Sequence, residues 1–244
     1  MNQIFILVIT MITILMKSFN KTLAIVLLLL TIFTFSGCEN SFSYESLFYS
    51  IFEISAGNDE TSIYGTGTGF KYTDGELITN FHIVGKQKDG VNTTYSYIKG
   101  KIYGCDDYIL FNISSFSYED DYAVLIPSPE YIDAFAQIKT LDIGNSDKIR
   151  IGERCFTIGN LFNCGLSMNE GVFSSRLKRM EYKGKENTFI QTSIEIAKGS
   201  SGGPLFDSNH RVVGMCAFKL RDTNMEYVDG ISFFIPLNRI INQQ

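Results

Sequence analysis

Past residue 46 the chain breaks into short β-rich runs at 47–55, 76–84, 95–103, 108–116, 121–127, 154–159, 171–182, 188–194, 211–220 and 230–235, each ended by turn-forming residues. Sustained 3.6-residue periodicity is scarce, and several runs alternate with period two. Tyr95, Tyr97 and Lys99 fall on one side of a run, Ser96, Ile98 and Gly100 on the other. Asp74-Gly75 and Ser208-Asn209 lie between runs, where tight turns belong. Segments 129–139 and 238–244 read as short helices. Regularly spaced short strands without a fixed internal repeat predict an all-β sandwich or barrel architecture.

Composition narrows the functional classes. Residues 1–37 hold no acidic side chain and only Lys17 and Lys21, so the body carries 19 basic against 26 acidic residues. A net negative body argues against a sequence-independent grip on nucleic acid, which requires a basic face. With 21 Gly, 4 Pro and 45% hydrophobic residues, the 244-residue chain is neither disordered nor collagen-like, and it can bury a full core.

The first 37 residues read as an export signal. Lys17 and Lys21 precede an apolar run at 24–35, shorter than the roughly 20 residues of a bilayer span, and Ser36-Gly37-Cys38 closes it. Phe35-Ser36-Gly37-Cys38 resembles a bacterial lipobox, with Phe35 where Leu is usual, which implies lipidation at Cys38. An additional apolar run at 1–15 precedes the basic pair, so Met16 is a candidate true start. An uncleaved membrane anchor is the alternative. Either reading predicts an extracytoplasmic, membrane-attached body, with residues 38–45 as a tether.

The strongest chemical signal is Lys198-Gly199-Ser200-Ser201-Gly202-Gly203-Pro204. A nucleophile elbow would need a helix after the serine and a histidine far downstream. Pro204 and a turn follow instead, and the sole downstream histidine is His210, nine residues on. The glycines suit a loop that aims backbone N–H groups at a developing oxyanion, with Ser201 as nucleophile. A serine needs a base, and the chain has two histidines, His82 and His210. His210 reads as a solvated hairpin-tip residue. His82, at the end of an apolar run, is the candidate base, and Asp121, opening the apolar run 121–127, is the carboxylate to orient it. Asp120 is the neighbouring alternative and reads as a solvated loop residue.

The order His82, Asp121, Ser201 is similar to that of chymotrypsin-like proteases. Gly65-Thr66-Gly67-Thr68-Gly69-Phe70, then Leu77-Ile78-Thr79-Asn80-Phe81-His82-Ile83-Val84, resembles the HtrA/Deg branch of that family. So do Gly144-Asn145-Ser146-Asp147, Ile158-Gly159-Asn160, Phe189-Ile190-Gln191-Thr192 and Gly230-Ile231-Ser232-Phe233. Together these cover about residues 46–241. The glycines at 65, 67 and 69 are followed by a strand rather than a helix, which argues against dinucleotide binding.

The resemblance implies two β-barrels, about 46–135 and 145–244, joined by a crossover within 128–144, with the active site in the cleft between them. His82 and Asp121 would come from the first barrel and Ser201 from the second. The N–H groups of Gly199 and Ser201 would form the oxyanion hole. It implies protein or peptide substrates, a role in envelope protein quality control, no metal or cofactor, and compatibility with a homotrimer. Relatives usually carry PDZ domains, but this sequence ends eight residues past Pro236, so none is expected. Ser200 replaces the acidic residue of trypsin-type zymogens, which implies no activation by a newly cut N-terminus. Glu195, six residues before Ser201, falls near the floor of the primary pocket and either selects Lys or Arg or points to solvent.

Besides Cys38 there are Cys105, Cys155, Cys164 and Cys216. An even number in an exported protein suggests disulfides, and Cys155 and Cys164 are placed to pair across a turn, although three connectivities are open. Cys216 reads equally as a small buried apolar residue. Two functional classes remain: a serine endopeptidase, or a catalytically silent binding lipoprotein on the same fold.

Overall fold

A computed structural model describes Thr10 and residues 42–241, except Cys105 and Asp222. The export signal and Cys38 therefore lie outside the described residues, apart from Thr10. Among the described residues no helix is long and apolar enough to cross a membrane.

The first closed barrel comprises β1 (Ile51–Gly57), β2 (Ile63–Lys71), β3 (Leu77–Thr79), β6 (Tyr97–Ile102), β7 (Tyr108–Ser117) and β8 (Tyr122–Pro127). A separate antiparallel ribbon, β4 (Gly85–Lys88) and β5 (Val91–Thr94), projects from it. The second barrel comprises β9 (Arg154–Asn160), β10 (Leu166–Tyr182), β11 (Lys185–Thr192), β12 (Pro204–Phe206), β13 (Val212–Arg221) and β14 (Tyr227–Pro236). Barrel closure removes unpaired sheet edges, which a chain of short strands would otherwise expose.

Two expected strands are partly helical. Residues Glu45–Phe48 form α1 before β1 begins, and the run 76–84 supplies only β3 before turning into α2 (Phe81–Val84). An apolar run this short fits either structure, and burial of Phe81, Ile83 and Val84 favours the single helical turn here. The crossover contains a 3₁₀ turn (Pro129–Tyr131) and α3 (Ile132–Ala136), and α4 (Leu237–Ile241) closes the described chain. Lys71, fully buried, donates to the carbonyls of Phe135 (2.9 Å) and Ile138 (2.7 Å), tying the crossover to β2.

Each barrel has its own core, Phe52, Leu77, Phe111 and Phe135 in the first, Phe173, Ile190, Leu205 and Phe234 in the second. A third apolar layer is shared. Phe70, Ile78 and Val124 of the first barrel meet Phe156, Phe189, Phe206 and Phe233 of the second. Each such phenylalanine is worth about 1.5–3 kcal/mol on burial. This layer buries apolar surface of the two barrels against each other.

The cysteine expectation needs correction. Cys155, Cys164 and Cys216 are free thiols. Cys155 and Cys216 sit in the second barrel's core, while Cys164 is exposed, so Cys155 and Cys164 do not pair across their turn. Burial pushes the Cys155 thiol up to about 12.

Candidate active site

His82 owes its position to the change from β3 to α2. Asn80 is extended and its side-chain amide donates to the Asp121 carbonyl (2.9 Å), joining this corner to the start of β8. The flanking Phe81, Ile83 and Val84 are buried, which leaves His82 as the residue of the turn facing solvent, its side chain 40% exposed. Its Nδ1 lies 2.8 Å from Asp121 Oδ2, and its backbone N–H donates to Oδ1 (3.1 Å). A carboxylate only accepts, so Nδ1 carries the proton and Nε2 of a neutral imidazole is left free to accept one.

Asp121 is fully buried and has φ +52, a left-handed conformation uncommon outside glycine. Burial alone would raise its carboxyl, but the His82 imidazole and the Lys183 ammonium outweigh that and hold it below the ordinary carboxylate range. Two further partners come from the β10–β11 hairpin of the second barrel, which no local sequence pattern ties to Asp121. Tyr182 Oη donates to Oδ2 (2.8 Å) and Lys183 Nζ to Oδ1 (2.6 Å). The pair Lys183-Gly184 between two β-rich runs is a two-residue hairpin signal, although nothing local says where that hairpin points.

Asp120 is not a solvated loop residue. It is buried, accepts from Ser117 Oγ (3.3 Å), and lies 3.6 Å from both Lys185 and Arg239, because the β10–β11 hairpin and α4 cover it. His210 is likewise half-buried, edge-on to Tyr44 (5.1 Å between ring centroids) and beside Phe156, and belongs to an aromatic cluster.

Ser201 sits in a loop docked against β2. Thr68 N–H donates to Ser201 O (2.8 Å) and Thr68 Oγ to Gly199 O (2.7 Å), while Thr68 Oγ accepts from Asn160 N–H (2.9 Å). Gly67 explains the close approach. A side chain there would collide with Ile83, next to His82, and with the Ser201 carbonyl, so one strand receives the histidine turn and the serine loop together.

The loop's carbonyls are all directed back into the protein. Lys198 O accepts from Phe162 N–H (2.7 Å), Gly199 O from Thr68, Ser200 O from Gly203 N–H (3.0 Å), and Ser201 O from Thr68. Among the described residues, neither the Gly199 nor the Ser201 N–H donates to a protein acceptor. Gly199 takes φ +95 with its Cα against the Asn160 carbonyl, a position without room for a side chain. Two backbone donors beside a hydroxyl form an arrangement able to bind a negatively charged oxygen.

Glu195 lies in the same segment but its charge is already engaged. Its carboxylate meets Lys219 Nζ (2.7 Å) and accepts from Gly230 N–H, and the side chain is 51% exposed. Lys219 also pairs with Asp229 (2.6 Å). A substrate cation would have to compete with Lys219. Among the described residues no group of three His, Cys, Asp or Glu side chains is placed to hold a metal ion.

Comparison with known proteins places these features in a family. The profile of the trypsin-like peptidase domain matches residues 67–215, more than half of the chain. The chain is 28% identical over 208 residues to "Protease Do-like 5, chloroplastic" of Arabidopsis thaliana, spanning 78% of this chain and 59% of that protein. It is 32% identical over 184 residues to a "Probable periplasmic serine endoprotease DegP-like" of Chlamydia trachomatis, spanning 72% and 33%. The solved "HtrA-type protease AlgW with tripeptide" superposes with a TM-score of 0.65 at 22% identity, over 82% of this chain and 62% of that one. The chain thus spans about three-fifths or less of the length of these two relatives.

Proposed function

The chain belongs to the trypsin-like peptidase family, and on that premise we propose that it is a serine endopeptidase, with Ser201 as nucleophile, His82 as general base and Asp121 as the carboxylate orienting it. The observation that carries this reading is the 2.8 Å contact between His82 Nδ1 and the fully buried Asp121 carboxylate. Burial of a carboxylate is costly unless it is fully hydrogen-bonded, so one placed against the solvent-facing imidazole of α2 has a chemical rationale.

In the proposed reaction Ser201 Oγ attacks the carbonyl carbon of the substrate peptide as its proton passes to His82 Nε2. Asp121 stabilises the resulting imidazolium without taking the proton. The oxygen that gains negative charge is received by the N–H groups of Gly199 and Ser201. His82 then protonates the leaving amine, and water releases the acyl group by the same steps in reverse.

The proposal extends to location and substrate. The lipobox-like Phe35-Ser36-Gly37-Cys38 supports lipid anchoring through Cys38 and an extracytoplasmic body, and the periplasmic naming of a relative agrees with that side of the membrane. Unfolded envelope proteins are the proposed substrates. Loss of detergent-phase partitioning and of lipid labelling in Cys38→Ala is the expected result for the anchor.

A fluorophosphonate probe, which reacts only with an activated serine, tests the central assignment. Labelling is expected in the wild type and absent in Ser201→Ala and His82→Ala, alongside digestion of unfolded casein. Folded wild-type protein that is neither labelled nor proteolytic, even with unfolded substrate and on warming, would instead support a binding role.

A further inference from the structure

β10 and β11 pair up to Tyr182 and Lys185, leaving a two-residue turn in which Lys183 (φ +53) and Gly184 (φ +78) are both left-handed. Such turns match the twist of the flanking strands and favour Asn or Gly at the first position. A lysine there is unusual, and its side chain is not in solvent. It is 14% exposed, with Nζ 4.7 Å from the ring centre of Tyr118, 5.5 Å from Tyr182 and 5.7 Å from Phe81. An ammonium enclosed by three rings is held by cation–π attraction as well as by its ion pair.

The Asp121 carboxylate consequently has four donors. His82 N–H and Lys183 share Oδ1, while His82 Nδ1 and Tyr182 Oη share Oδ2, which fills its accepting capacity. Two donors come from the first barrel and two from a hairpin of the second. Resting on the reading of His82 and Asp121 as base and orienting carboxylate, we propose that Lys183, seconded by Tyr182, is a positioning residue. It fixes the rotation of the carboxylate across the barrel interface and limits how strongly that carboxylate favours a protonated imidazole.

Lys183→Met tests this, because methionine retains apolar bulk in the aromatic enclosure while removing charge and donor. Lys183→Arg is the conservative rescue. The His82 backbone N–H, bonded to Asp121 Oδ1, reports the carboxylate's position without any need for turnover. In the methionine variant that amide exchanges about tenfold faster. The acid limb of kcat/KM, followed by probe labelling from about pH 5 to about pH 9, moves to higher pH by about one unit. KM stays within about twofold, and arginine restores both readouts. The other charged or titratable groups around this corner, Asp120, Arg239, Tyr118, Tyr182 and Cys216, are the same in each variant. A folded methionine variant whose His82 exchange and acid limb coincide with the wild type overturns the proposal. Wild-type protein that is folded yet unlabelled refutes the catalytic reading instead, and the exchange measurement still judges Lys183.

Discussion

Thr68 and Gly199 stand 131 residues apart in the chain, yet the threonine hydroxyl donates to the glycine carbonyl at 2.7 Å while accepting from Asn160 N–H. One buried hydroxyl of the first barrel therefore sets the orientation of a peptide beside Ser201, the proposed nucleophile, on the second. Thr68→Val keeps the shape and leaves the Gly199 carbonyl and the Asn160 N–H unsatisfied. A loss of about 2–4 kcal/mol in stability is expected, with kcat lowered about 10- to 100-fold and KM little changed. Denaturant titration and steady-state kinetics check this. Unaltered kcat would show that the loop holds its geometry without the threonine.

Gly202 has φ +82, and a Cβ there would lie 2.0 Å from the Thr68 carbonyl. Gly202→Ala combines a strained conformation with a collision against backbone, so about 3 kcal/mol or more of destabilisation is expected. Any folded fraction should label poorly with a fluorophosphonate although Ser201 and His82 are intact. A melting temperature within a degree or two of the wild type would contradict the placement of this loop.

Asp121 links chemistry to acid stability. Its folded carboxyl lies below the ordinary value, so the ionised native form is favoured. That contribution is present in full above about pH 4 and is lost as pH falls through the lower folded value. Thermal melts should therefore decline below about pH 4 and decline less steeply in Asp121→Asn. The same variant should lose about 10⁴-fold in kcat through the wrong imidazole tautomer. Equal acid sensitivity of the two proteins would remove Asp121 from the account.

Glu195 pairs with Lys219, which the neighbouring Asp229 and Glu195 hold above its ordinary range. No preference for cleavage after Lys or Arg is expected in the wild type. Lys219→Met releases the carboxylate and should raise cleavage after basic residues about tenfold relative to small aliphatic ones. Mass-spectrometric mapping of cut sites in a peptide panel decides it. A wild-type preference for Lys or Arg that vanishes in Glu195→Ala would restore the direct role of Glu195.

Much of this protein was readable residue by residue. Alternating β runs and turn pairs implied an all-β sandwich or barrel, since strand periodicity and turn chemistry are local properties; closure into two barrels came from the family resemblance. His82, Asp121 and Ser201 stood out because each combines a reactive group with a distinctive local setting: a strand end, a strand mouth and a glycine loop. The helical turn at Phe81–Val84 was hidden because three apolar residues around one histidine satisfy either period until burial chooses between them.

What escaped the linear reading shares one cause. Tyr182 and Lys183 meet Asp121 across 61 and 62 residues, Asp120 is covered by a hairpin and a terminal helix, and Lys219 neutralises Glu195 from 24 residues away. Burial and charge pairing depend on which surfaces the two closed barrels bring face to face. Alternation along a strand says which side is apolar, but not what the opposite barrel will place against it.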